Sequence, residues 1–140
     1  MATVELRFSA SPEHVRTARL VAAAVARRAG VDESVLDELR LAVGEACSRA
    51  VGLHELHGLS SPVRVRLTEG EKAFSIEVGD DAPGAFPLSA GDVVDDTASE
   101  GTDELGLAVI SGLVDDLDVS SDAQGGRIRM SWPTSAAPVS

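Results

Sequence analysis

A small set of side chains in this sequence has the type and spacing to do chemistry. Glu45 and Arg49 stand four residues apart, so on a helix they share one face and can pair. A glutamate there can take a proton from a hydroxyl if it is ionised and lies beside it. Arg49 cannot hold a metal, because a guanidinium is always charged and has only donors. On periodicity alone the two also read as an ordinary exposed ion pair. Asp80 is a second case. It continues the alternation Phe74, Ile76, Val78, which aims its carboxylate into an apolar layer at a strand's end. A buried acid needs a partner, and a ligand amine or a bound water would serve. The competing reading is a turn aspartate in Asp80-Asp81-Ala82-Pro83-Gly84 that caps its own backbone. Gly106 stands near the start of a short helix, where bare N–H groups attract anions. Two residues earlier Glu104 places a carboxylate at that position. This suits the helix dipole but would repel a phosphate. His54 and His57, an i, i+3 pair near Cys47, could suggest a metal. Histidines at a helix C-terminus need none to be favourable, so no metal site is expected.

The elements that must position these residues follow from periodicity. Five segments alternate apolar and polar with period two: Val4-Leu6-Phe8, Val63-Val65-Leu67, Phe74-Ile76-Val78, Leu117-Val119 and Ile128-Met130-Trp132. A sheet buried on one face is usually antiparallel. Glu69-Gly70 and Gln124-Gly125-Gly126 read as its hairpin turns. A first helix opens at Ser11-Pro12 and stops at Gly30, with Val15, Ala18, Ala22 and Val25 as its stripe. A second runs from about Asp32 to about His54, burying Leu39, Ala42, Val43, Ala46 and Ala50. A third, shorter helix spans about Leu105 to Val114. The fold predicted is α+β: a two-layer sandwich with a mainly antiparallel five-stranded sheet covered on one face by three helices. Residues 1–132 form the domain, and 133–140 (PTSAAPVS) read as a disordered tail.

Composition narrows the function. A chain of 140 residues has room for one core. With a net charge of −11, three Phe, one Trp and no Tyr, it would repel a phosphate backbone and offers few rings to stack on bases. Nucleic acid is therefore excluded as a partner. The single Cys47 forbids an internal disulfide and fits a reducing compartment. No apolar run has the length of a membrane span, so a cytoplasmic location is expected. Charge is uneven: ten of the twelve Lys and Arg lie at or before Lys72, while thirteen Asp and Glu fall between Lys72 and Arg127. The outward arginines Arg7, Arg64, Arg66, Arg127 and Arg129 read as a solvated cross-strand ladder, or else as a partner surface.

Four segments carry a resemblance. They are Glu38 to Ala50, Val78-Gly-Asp-Asp-Ala-Pro-Gly-Ala-Phe86, Glu104-Leu-Gly-Leu-Ala-Val-Ile110, and Gly125-Gly-Arg-Ile-Arg-Met-Ser-Trp132. In this order and spacing they resemble the signature boxes of the GHKL ATPase family, and most closely its bacterial anti-sigma-factor serine kinases. The resemblance implies a general base at Glu45, a magnesium-ligating asparagine where Arg49 stands, and an adenine-amino acceptor at Asp80. It implies glycines at Ala82, Gly84, Glu104 and Gly106, of which only Gly84 and Gly106 are kept. Pro87 to Asp103 corresponds to the family's ATP lid and holds five acids without a Lys or Arg. The expectation is a regulatory anti-sigma-type protein with a degenerate nucleotide site. It would bind an anti-anti-sigma (STAS-type) protein, a sigma factor, or both in competition, and could form a homodimer. The alternative is an active serine kinase that phosphorylates the anti-anti-sigma partner with ATP and Mg2+.

Overall fold

The period-two segments pair into one sheet in the computed structural model, which describes residues 3–83, 109–114 and 116–134. The strands are β1 (Thr3–Phe8), β2 (Val63–Glu69), β3 (Ala73–Asp80), β4 (Asp116–Asp122) and β5 (Gly125–Pro133). They lie in the order β1-β2-β3-β5-β4, and all four pairings are antiparallel. Helices α1 (Pro12–Ala29) and α2 (Leu36–Leu56) cover the apolar face, and residues 109–113 form the described part of a third helix. The expected ATP lid, Gly84, Glu104, Gly106 and residues 135–140 lie outside the described residues.

Helix ends follow their sequence signals with two changes. Pro12 occupies the first turn of α1, but Ser11 makes no side-chain cap, and its carbonyl accepts from His14 N–H at 3.0 Å instead. Gly30 stops the helix in the left-handed region (φ 103°), with its N–H on the carbonyls of Ala26 and Arg27. A short 3-10 turn, Glu33–Val35, precedes α2, and Asp32 caps it by accepting from Ser34 N–H. The second helix therefore begins four residues later than its N-cap signal predicted.

Small side chains set the spacing of the helical layer. The buried positions of α1 are Val15 and four alanines, so α1 lies close to its neighbour. At the crossing, Gly44 of α2 receives Arg19, whose Cδ would lie 2.8 Å from an added Cβ. Beneath, Leu39, Val43, Ala46, Cys47 and Ala50 of α2 join one core with the inward residues of β2, β3 and β5. Bulk comes from the sheet, where Phe74, Ile76, Met130 and Trp132 are fully or almost fully buried. The indole N–H of Trp132 donates to the Leu113 carbonyl at 3.3 Å, tying β5 to the helix at 109–113. No described helix is long and apolar enough to cross a membrane.

The outer face is polar in registered rows. Glu5, Arg66, Glu77, Arg129 and Asp118 align across the five strands, alternating in sign. The next row reads Arg7, Arg64, Gly79, Arg127 and Ser120; Arg64 and Arg127 reach acids on the diagonal, as in Arg127–Glu77 at 3.3 Å, while Arg7 pairs with Glu5 on its own strand. Two expectations shift. Val119 is 41% exposed on β4, which has no second neighbouring strand among the described residues. The last hairpin turns on Ala123-Gln124, which places Gly125 and Gly126 inside β5.

Two substitutions test this packing by urea unfolding. Phe74→Ala removes a fully buried ring and should cost about 3–5 kcal/mol. Gly52→Ala, with open space at its Cβ in the C-terminal part of α2, should gain up to about 1 kcal/mol.

Candidate functional site

The last residue of β3 is an acid in the core. Asp80 is only 3% exposed, as the alternation predicted. Its Oδ1 accepts from Ala82 N–H at 2.9 Å, the local cap of a turn aspartate. Its Oδ2 takes no hydrogen bond among the described residues. One oxygen thus answers the turn reading, and the other is a buried acceptor open to a ligand amine or water.

Strand β5 leaves room for that oxygen. Gly126 pairs with Asp80, and a Cβ there would stand 3.1 Å from Oδ2. A Cβ on Gly125 would fall 2.2 Å from the Asp80 carbonyl oxygen, a distance no side chain tolerates. Sequence reading assigned both glycines to a turn. Their work is close approach to Asp80. A cleft of about 510 Å3 opens beside them, lined by Asp80, Asp81, Arg64, Asp122, Gly126 and Arg127 among others.

His54 holds the chain that leaves Asp80. The imidazole is fully buried. Its Nε2 accepts from Asp81 N–H at 3.0 Å, so Nδ1 carries the proton and donates to the Ser61 carbonyl at 3.0 Å. Asp81 Oδ1 in turn accepts from Arg64 at 2.9 Å. The Ser61 hydroxyl and then Arg64 hold the Asp81 carboxyl below the usual carboxylate range. The signal for His54 was present in the sequence: it continues the buried stripe Leu39, Val43, Ala46, Ala50 at helical spacing. His57 caps the helix end and is exposed. No cluster of three potential metal ligands occurs among the described residues.

Glu45 and Arg49 are half-buried on α2. Gly44 faces α1, and each residue turns the helix by about 100°, so Glu45 and Arg49 occupy the flank turned away from α1. Ala82 is buried behind the Asp80 turn. Tested against an adenine nucleotide, the residues at Asp80 fit a base amine: a buried open acceptor stands over a floor without side chains. Position 49 does not fit magnesium, since Arg49 brings donors and a charge of the same sign.

Cys47, two residues from both Glu45 and Arg49 and so on the opposite, core-facing side of α2, is inert. Burial pushes its thiol up to about 12, far from the thiolate that reacts. Iodoacetamide at about pH 8 should leave the native protein unlabelled and modify it fully in urea, read by mass spectrometry. Labelling of the folded chain at the rate of a free thiol would contradict the packing.

Comparison with known proteins gives the fold a family. Residues 8–132 match the family described as histidine kinase-like ATPase domain. The serine-protein kinase RsbW of Bacillus pumilus (strain SAFR-032) is 30% identical over 132 residues, covering 86% of this chain and 79% of that protein. The serine-protein kinase RsbW of Bacillus subtilis (strain 168) is 28% identical over 124 residues, with 84% and 78% covered. Among solved structures, the RsbU and RsbW domains of a Mycobacterium tuberculosis protein superpose with a TM-score of 0.69 at 17% identity. That likeness concerns the fold; it takes in all of this chain and 34% of that one. From the match across 8–132, the shared sheet and helices and the RsbW relatives together, the chain belongs to the histidine kinase-like ATPase family, in its branch of anti-sigma-factor serine kinases.

Proposed function

We propose that this chain is a partner-binding regulator of the anti-sigma-factor class whose nucleotide site has lost its metal chemistry. It holds an anti-anti-sigma protein, a sigma factor, or each in competition. The observation that carries this reading is Arg49, one turn beyond Glu45 on the same flank of α2. The family pattern calls for a magnesium ligand at that position, and a guanidinium cannot be one. Glu104, by its place before Gly106 in the sequence, adds a carboxylate where phosphate would bind. Asp80 supports a surviving capacity to recognise the base. Without magnesium, the charge on a triphosphate stays uncompensated in a strongly acidic chain. Transfer to a serine hydroxyl would then lack its electrostatic partner even with Glu45 present as base.

The alternative is an active kinase in which Glu45 is the base, Asp80 holds adenine, and Gly84 and Gly106 line the pocket. The intact Asp80 supports it. Calorimetry separates the two. ATP should bind weakly, with no gain from Mg2+, and the double change Arg49→Asn with Glu104→Gly should restore a magnesium-dependent gain. Tight, magnesium-requiring binding by the unaltered chain would favour the kinase.

The partner side has its own test. Mixed with ATP and an unphosphorylated anti-anti-sigma protein, the chain should form a stable complex whose partner mass does not change. A partner phosphorylated beforehand gains nearly two negative charges and should be rejected. Gain of phosphate on the partner would overturn the non-catalytic reading, and absence of any complex would overturn the regulator itself.

A further inference from the structure

Two hydrogen bonds fix the His54 imidazole. Its Nδ1–H donates to the Ser61 carbonyl, and its Nε2 accepts from Asp81 N–H. These bonds join three elements: the C-terminal turn of α2, the entry to β2, and the exit of β3. Arg64 secures Asp81 from the outer face at 2.9 Å. Every polar atom of the imidazole is used, so His54 has no nitrogen left for a metal or a substrate.

We propose that His54 is a positioning residue that sets the Asp80 carboxylate for a ligand amine. The argument is geometric. Asp80 cannot be fixed by its own strand alone, because β3 ends at that residue. The peptide group that follows it carries Asp81 N–H, and His54 Nε2 is the acceptor that holds this group. The next N–H, that of Ala82, bonds Asp80 Oδ1 and thereby turns Oδ2 toward the gap over Gly126. Loss of the His54 acceptor would free the Asp81 peptide to rotate. The Ala82 bond would weaken with it, and the open oxygen would lose its aim. The same histidine lies on the helix that carries Glu45 and Arg49, so it fixes that flank to the base-recognising end of the sheet. This rests on the base-recognition reading of Asp80 given above.

The test uses two variants that split the imidazole into its halves. In His54→Asn the side-chain amide can occupy the place of Nδ1 and keep the bond to Ser61, but nothing reaches Asp81 N–H. In His54→Gln the amide oxygen can occupy the place of Nε2 and accept from it. Amide hydrogen exchange by NMR gives a readout that needs no nucleotide. In His54→Asn the amides of Asp81 and Ala82 should exchange about tenfold faster, while amides in the middle of α2 and β3 keep their protection. His54→Gln should restore the slow exchange. In parallel, calorimetry should show that His54→Asn loses the preference for adenine over guanine nucleotides, as Asp80→Asn does, and that His54→Gln keeps it. If Asp80→Asn leaves nucleotide preference unchanged, the base-recognition reading fails and the exchange data alone decide whether His54 fixes this turn. Unchanged exchange at Ala82 in His54→Asn, or equal loss across α2 in both variants, would overturn the positioning role.

Discussion

A carboxylate has to be kept inside an apolar layer, and much of this domain is arranged around that demand. Asp80 closes the inward series of β3 after three apolar residues. Water is not there to solvate it, so its surroundings must supply what water would. One oxygen receives a backbone N–H from the turn it begins. The other faces the glycine pair of β5, where a side chain would collide with the strand end. The chain beyond is anchored by an imidazole from α2 and a guanidinium from β2. Removing the demand would leave three of these features without a purpose.

The large elements were legible in the sequence because one-sided burial writes a strong pattern. Strands β2, β3 and β5 announced themselves through strict alternation, and α1 through its proline start and glycine stop. The burial of Asp80 was legible for the same reason, since it extended an alternation already established. What escaped were contacts between elements far apart in sequence. His54 meets Asp81 across 27 residues; the helical stripe marks it as buried, but nothing local marks the partner it finds there. Gly125 and Gly126 looked like turn residues because glycine is common in turns. Only the pairing with β3 shows that they are there to admit another backbone.

Both faces of the sheet solve an electrostatic problem, in opposite ways. Outside, charges are numerous but compensated, with acids and arginines alternating across all five strands in one row. Such a row suits solvent exposure, where each pair adds little but like charges never meet. Inside, a single acid is tolerated only with dedicated partners. The strongly negative net charge therefore does not come from the described sheet face. It comes from the sequence between Lys72 and Arg127, where thirteen acids, Glu77 and Asp118 of that row among them, stand without a Lys or Arg.

The bond from Trp132 to the Leu113 carbonyl has a practical meaning of its own. The chain has one tryptophan and no tyrosine, so its near-ultraviolet emission arises from a single indole. That indole is buried in β5 and hydrogen-bonded to the end of the helix at 109–113. Any event that shifts this helix on the sheet changes both the polarity around the ring and the bond to its N–H. The protein thus carries its own optical gauge, one that reports the docking of its third helix without a label or an added dye.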